Sequence, residues 1–433
     1  MAETPNANSP YPPSYYAASR NIIRQAKALA GDIETDIVIV GAGYSGLSSG
    51  ISLAEHGFKV VVVEAAEVGW GASGRNGGQV VNGLNASLGT IERRYGTETA
   101  AFFGTLLQEG AGIIYDRVER YKIQCDLKRG NIYAAYTPKH MEELRDKQAL
   151  WRRHGMDDHE LLDRTQIRQH IGSDVYEGGM IDHSGGHMHP LNLALGEAAA
   201  LESLGGVIYE HSPVIKVEQD ANGATVRTAS GSVRAKTAIV CGNAYLGNVV
   251  PELTARIMPV STQMMATEPL GEGRARSLLP TDMCVEDVRY ILDYFRLSAD
   301  HRLIFGGGVV YGGTDPADVI AKLRPNLDKV FPQLKDVKID YAWSGNFALS
   351  FSRVPQLGRL GKNIYFAHGD SGHGVTGTHL FGRILGEAVR GDMTRFDTFA
   401  KLPWIPFPGG RMFRAQYSTL GSWWYELRDR LGI

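Results

Sequence analysis

The sequence predicts an α/β fold, in which a doubly wound nucleotide-binding domain is joined to a mainly antiparallel α+β second domain. Three observations carry that expectation. Thr35-Asp-Ile-Val-Ile-Val40 and Lys59-Val-Val-Val-Val-Glu64 are β-branched runs flanking a stretch, Ser45 to His56, with helical spacing. Runs of that kind are strands buried on both faces, and the unit has the ~30-residue size of a βαβ crossover. Between the first strand and the helix lies Gly41-Ala-Gly-Tyr-Ser-Gly46, a GxGxxG that Gly50 extends. Far downstream, the buried run Asn363–Ala367 again enters a helix, residues 374–389, through glycines. A GxGxxG in this strand-to-helix context marks a Rossmann-like domain.

Taken in order, residues 1–33 read as an arm rich in Pro, Ser, Asn and Tyr, draped over the body, with a short helix from Ile22 to Ala30. Residues 91–160 read as largely helical, interrupted by a strand at 131–137, and residues 176–189 as short and Gly/His-rich. A helix over 191–204 is followed by strands at 207–209, 214–219, 224–228 and 238–241, with Asn222-Gly223 as a turn. Residues 258–344 alternate extended segments, Leu303–Phe305 among them, with loops. The first domain is therefore expected in three pieces, 34–95, 190–250 and 345–395, and the second in 96–189 and 251–344. Residues 396–433 form a tail expected to pack on the body, its aromatics Trp404, Phe407, Trp423, Trp424 and Tyr425 interleaved with Arg411, Arg414, Arg428 and Arg430.

Bulk properties narrow the function classes. A net charge of −2 over 433 residues supplies no field for nucleic acid. Three scattered cysteines without a CxxC argue against a disulfide framework or a zinc ribbon. No run approaches the roughly 18 apolar residues of a membrane span, and residues 1–30 lack a signal-like apolar stretch, so the cytoplasm is the expected location.

Gly41 and Gly43 suit a tight turn and close approach of backbone to a pyrophosphate, and Gly46 suits close packing of helix on sheet. Tyr44 and Ser45 open the helix, whose N-terminus favours phosphate. Glu64 ends the second strand, where a carboxylate accepts ribose hydroxyls. The motif alone does not separate FAD from NAD; two further segments favour FAD. Gly69-Trp-Gly-Ala-Ser-Gly-Arg-Asn-Gly-Gly78 must cross the strand tips, so Ala72, Ser73, Arg75, Asn76, Gly77, Gly78 and Gln79 are placed beside a flat ring. In Ala367-His-Gly-Asp-Ser-Gly-His-Gly374, the residues Gly372, His373, Gly374, Val375 and Thr376 present a helix N-terminus able to stabilise negative charge on a reduced flavin. Val214 and Gly242 complete the cofactor-binding set.

These three segments together resemble the D-amino-acid oxidase family of flavoproteins, which includes glycine and sarcosine oxidases, over residues 34–395. Ser14-Tyr-Tyr-Ala-Ala18, Gly71–Gln79, Ala266-Thr-Glu-Pro-Leu270 and Asp293-Tyr-Phe-Arg296 are similar to the bacterial gamma-glutamylputrescine oxidases within it. The resemblance implies oxidation of a carbon–nitrogen bond by hydride transfer to flavin N5, with the imine hydrolysed and dioxygen reduced to hydrogen peroxide. Sarcosine oxidases carry a cysteine that binds FAD covalently; Trp343–Ser350 here has none, so the FAD is expected to be noncovalent and released by acid precipitation.

Tyr290, Tyr294 and Arg296 share strand parity, and are expected to form an aromatic wall with one guanidinium for a substrate carboxylate. A half-buried strand with a surface arginine is the plainer reading. Arg75 is expected to act on the flavin, with a loop-capping role as its bland alternative; His373 either touches the ring or substrate, or merely holds its loop. His183, His187 and His189 do not make a metal site on their spacing, and no metal is expected. The implied partners are an amine and dioxygen. A dehydrogenase passing electrons to quinone, a flavin-binding subunit without turnover, and a homo-oligomer stay open.

Overall fold

Val60–Val63 is buried along its whole length and pairs in parallel with Ile37–Val40 on one side and Val207–Tyr209 on the other. Such a strand needs apolar cover on both faces, which helices supply. The computed structural model describes residues 5–431, with side chains through Trp424 apart from Arg411. Its first sheet runs in the order Gln356–Leu360, Ile364–His368, Gly231–Val240, Gly31–Val40, Val60–Val63, Val207–Tyr209, with the hairpin Val214–Asp220 and Gly223–Thr228 attached to Gly231–Val240. Helix Tyr44–Ala54 is buried at every position, because helices Pro190–Ser203 and Gly374–Val389 both pack on it. Side-chain-free positions allow that approach: a Cβ at Gly382 would lie 2.4 Å from Ser48 Cβ.

The second sheet has nine strands, in the order Ile339–Leu349, Met258–Thr267, Leu303–Tyr311, Asp293–Leu297, Cys284–Asp287, Lys128–Ala135, Gly178–His187, Gln79–Val80, with His159–Leu162 beside Gly178–His187. All its pairings are antiparallel except Cys284–Asp287 with Lys128–Ala135. Alternation divides its side chains. Ile132, Ile181, Val285, Phe295 and Phe305 pack with Leu323 and Leu327 of helix Val319–Val330. Tyr133, Met180, Met264 and Trp343 join the core shared with the first sheet.

Several expectations need correction. Residues 22–30 are not helical; the arm instead has one short turn, Tyr15–Ala18, capped by Ser14. Asn21 N–H donates to Asn192 Oδ1, Arg24 pairs with Glu202 and Glu210, and Leu29 N–H donates to Ser212 Oγ. These contacts hold the segment extended, where a helix so short is marginal in water. Residues 178–187 form one continuous strand. Gln79–Val80 and Ile339–Leu349 belong to the second sheet, since Gln79 pairs with His187 and Asn346 with Ser261, so segments 34–95 and 345–395 each contribute to both sheets.

The tail ends in a helix, Gly410–Leu431. Phe407 is buried and Arg414 Nη1 donates to Ile257 O, but Trp404, Met412, Phe413, Tyr417, Leu420, Trp423 and Trp424 are exposed, so only one side of the tail packs on the body. Side chains of Arg411, Tyr425, Arg428 and Arg430 lie outside the described residues. Among those described, no helix is long and apolar enough to cross a membrane.

Candidate active site

At the tip of the first sheet the turn is built as its glycines require. Gly41 has φ +103°, and a Cβ at Gly46 would sit 2.0 Å from Gly41 O. Glu64 Oε2 accepts from Ala42 N–H at 2.7 Å and Oε1 from Ala66 N–H at 3.0 Å. Burial raises its pKa, so the carboxylate favours further donors of the ribose-hydroxyl kind. Ser212 N–H donates to Glu64 O, which brings Val214 to the same end of the sheet. Gly242 lies against Gly41, its nitrogen 3.6 Å from a Cβ built there. Gly41, Gly43, Glu64, Ala72, Ser73, Val214 and Gly242 all retain partial exposure, while Tyr44, Ser45 and Gly46 are buried.

The loop Gly69–Gly78 closes over this end. Ser73 Oγ accepts from Tyr44 N–H at 3.0 Å, capping the helix. Asn76 knits the loop to itself: Nδ2 donates to Ala72 O and Ser73 O, and Oδ1 accepts from Gly78 N–H. Arg75 lies 4.1 Å over the Trp70 ring, donates from Nε to Trp70 O, and leaves a buried Nη2 without a partner among the described residues. Gln79 Nε2 donates to Val285 O, tying the loop to the second sheet.

The late glycine segment faces it. Gly372 has φ +96°, and His373 is the N-cap of helix Gly374–Val389. Its buried Nδ1 has no hydrogen-bond partner among the described residues, and burial together with the charge of Lys147 lowers its pKa to about 4. Gly374 and Val375 are partly exposed, whereas Thr376 is buried and donates to Val81 O. The unsatisfied Arg75 Nη2, His373 Nδ1 and Asn346 Oδ1 are the polar complement that a heteroaromatic ring with donors and acceptors would satisfy.

Residues 36–388 match the family model DAO, FAD dependent oxidoreductase. The chain belongs to this family. It is 53% identical over 421 residues to the gamma-glutamylputrescine oxidoreductase of Escherichia coli (strain K12), covering 97% of this chain and 99% of that one. It is 39% identical to the probable oxidoreductase OrdL of Haemophilus influenzae, over 96% and 97% of the two chains. Among solved structures, glycine oxidase from Geobacillus kaustophilus has the same fold, with a TM-score of 0.70 at 20% identity over 86% of this chain and all of that one. This DAO-family chain is thus an FAD-dependent oxidoreductase acting on amines. FAD, when bound, supplies the two-electron oxidation of the carbon–nitrogen bond. Glu64 and the turn Gly41–Gly46 suit its ribose and pyrophosphate; Arg75 and His373 suit its ring end.

The second sheet forms the opposite wall, where two sequence-derived roles change. Tyr290 is not on the strand: it sits in the bend before Asp293–Leu297, 40% exposed, its hydroxyl 3.3 Å from Arg353 Nη2. Arg296 is buried and already committed, donating from Nε to Gly77 O at 2.7 Å, from Nη1 to Leu297 O, and from Nη2 to the Tyr16 hydroxyl at 3.1 Å. A guanidinium held this way anchors the ring-side loop rather than a substrate carboxylate. Tyr294 does share its face with Arg296: a Cβ at Gly77 would meet the Tyr294 ring at 2.7 Å, and one at Gly78 would meet Arg296 Nη2 at 2.8 Å.

The three histidines separate. His183 is exposed beside Glu160, His187 Nε2 meets Asp282 O, and His189 caps helix Pro190–Ser203 through Asn192 N–H. Among the described residues no group of three or more His, Cys, Asp or Glu could hold a metal. Sequence reasoning missed Tyr16, fully buried between Arg296, His189 and Trp343, because an N-terminal arm carries no periodicity to reveal a core residue. It also missed Lys147 and Glu286, which lie on elements far apart in the chain.

Proposed function

We propose that the amine is a gamma-glutamylated polyamine such as gamma-glutamylputrescine, whose terminal primary amine is oxidised to the aldehyde with release of ammonia and hydrogen peroxide. The observation that carries this reading is 53% identity along nearly the whole of both chains to an enzyme whose name states that substrate. Arg296, expected to take the carboxylate end of such a substrate, is instead committed to Gly77 O and lends this reading no support. With its pKa lowered, His373 meets the ring as a neutral imidazole at pH 7. The site must also accept the amine unprotonated, because only a nitrogen with a free lone pair can support hydride loss from its neighbouring carbon.

Anaerobic mixing of the holoenzyme with gamma-glutamylputrescine, putrescine, and D- and L-amino acids tests the reading. Rapid loss of oxidised-flavin absorbance with gamma-glutamylputrescine at the lowest concentration is the expected result. Faster bleaching by an amino acid overturns it. One peroxide formed per amine in air assigns dioxygen as acceptor; bleaching without peroxide assigns a quinone-type acceptor instead.

A further inference from the structure

Seven residues from seven neighbouring strands form one row across the second sheet: Trp343, Met264, Gly306, Tyr294, Glu286, Tyr133 and Met180. Directly paired residues project to the same face. Trp343, Met264, Tyr133 and Met180 place that face against the core shared with the cofactor-binding half, and Tyr294 reaches the ring-side loop at Gly77. Glu286 is the one charged residue in the row. Its neighbour Asp287 points to the other face and pairs with Arg289, so adjacent acidic residues on one strand serve opposite sides.

Above the row, helix Pro138–Arg152 sends down Lys147, whose Nζ lies 3.5 Å from the Tyr133 ring centroid and 4.5 Å from that of Trp151. The groups facing this ammonium are Glu286 and Asp182, and its charge also reaches His373 at the helix N-terminus opposite. Asp182 is already engaged, accepting from Asn82 and Ser184. Among the described residues, neither Lys147 nor Glu286 has an ion-pair or side-chain hydrogen-bond partner, although each feels the other's charge. Lys147 and Glu286 are both partly buried, and withdrawing an ion from water without an opposite charge in contact is unfavourable. Two such ions of opposite sign, set apart across an aromatic floor, are the complement of a ligand that carries both charges.

We infer that Lys147 and Glu286 receive the α-carboxylate and the α-ammonium, respectively, of an amino-acid head carried at the end of the substrate remote from the reacting amine. This rests on the gamma-glutamyl reading and deepens it. The head's carboxylate meets Lys147, whose ammonium the faces of Tyr133 and Trp151 already hold, its ammonium meets Glu286, and the chain beyond the amide runs past Tyr294 towards Gly77. Burial raises the pKa of Glu286 and lowers that of Lys147, each change held back by the other's charge, and an arriving head of complementary charge favours the ionised form of both.

Calorimetric titration of the FAD-loaded enzyme with two unreactive probes tests this. One is gamma-glutamylbutylamide, which has the whole head and no terminal amine; the other is glutarylbutylamide, which lacks only the α-ammonium. Lys147→Met is expected to weaken both probes at least about tenfold. Glu286→Gln is expected to weaken gamma-glutamylbutylamide by a similar factor and to leave glutarylbutylamide within about twofold. Lys147→Arg, which keeps the charge, recovers most of the loss. Retained flavin absorbance and an unchanged melting temperature report folding for each variant, and either variant alone tests its half.

Binding of the first probe that is absent in the wild type, or the same in all variants, overturns the inference. So does a Glu286→Gln enzyme that binds both probes normally yet reduces its flavin slowly, which would place Glu286 at the reacting amine. A wild type that shows the expected probe pattern but is not bleached by gamma-glutamylputrescine sinks the proposed reaction and leaves the head site standing. Bleaching with no variant effect does the reverse.

Discussion

The two halves of the site are made of different material. The cofactor-binding half is mostly backbone: a glycine turn, a helix N-terminus and one carboxylate, Glu64, all within residues 41–64. The wall opposite is made of side chains, with Tyr133, Lys147, Glu286, Tyr294 and Trp343 delivered by four strands and a helix spread over about half the chain. A backbone site tolerates almost no change at its glycines and is indifferent to distant substitutions. A side-chain site behaves in the opposite way, because each group can be altered without moving the main chain.

The most severe break of that contrast is expected at Gly46. Its Cβ would lie 2.0 Å from the Gly41 carbonyl, a main-chain atom that cannot step aside. Overpacking of that kind costs on the order of 3 kcal/mol, so Gly46→Ala is expected to purify without flavin colour, with added FAD failing to restore it. A coloured variant would show that the turn is not the cofactor's seat.

Acid is expected to strain both halves at once. His187, His189 and His368 are buried, each with its pKa lowered from 6.5 to about 3, burial being the main cause in all three. Arg296 adds to the effect at His187 and His189, and Arg256 at His368. The unfolded chain takes up these protons below about 6.5 and the folded one does not until about 3, so stability present at pH 7 is lost as pH falls through that window. Each histidine contributes up to about 1.4 kcal/mol per pH unit. Denaturant melts at pH 7.0 and 5.5 should therefore differ by a few kcal/mol; equal midpoints would mean the three rings are not buried neutral.

Arg296 sharpens the comparison, since it belongs to the side-chain wall yet supports the backbone loop. Losing a hydrogen-bonded guanidinium costs about 1.5–3 kcal/mol. Arg296→Ala should accordingly raise the KM for gamma-glutamylputrescine and for putrescine alike, and weaken FAD retention. A selective effect on the carboxylate-bearing amine would restore the substrate-binding role that its hydrogen bonds argue against. The smallest effect is expected from His373→Asn. With the imidazole's pKa lowered to about 4, it stays neutral above pH 5, so the variant should change the height of the kcat/KM profile between pH 6 and 9 but not its shape. An inflection lost with the substitution would contradict that.

Much of the first half was legible because its chemistry is local. Gly41, Gly43, Gly46 and Glu64 fall within 24 residues, and the helix predicted over 374–389 coincides with Gly374–Val389. The ring-side loop was legible as a cluster of glycines, but the reason for Gly77 and Gly78 was not, since it lies in Tyr294 and Arg296 more than two hundred residues away. Strand parity placed Tyr294 and Arg296 on one face and failed at Tyr290, where a bend breaks the alternation. Arg75 carried a signal of charge and position, and its stacking on Trp70 lies within the same loop.

By itself the sequence determined the βαβ unit, the glycine turn and the ring-side loop, because steric limits on backbone torsion and the period of buried strands act between near neighbours. Tertiary structure alone decided that Arg296 would hold a loop, that an N-terminal Tyr16 would lie in the core, and that Lys147 and Glu286 would meet across one aromatic floor. Those outcomes follow from which strands pair and which face of each is turned inward, and burial then sets the charge state and the partner of every group enclosed.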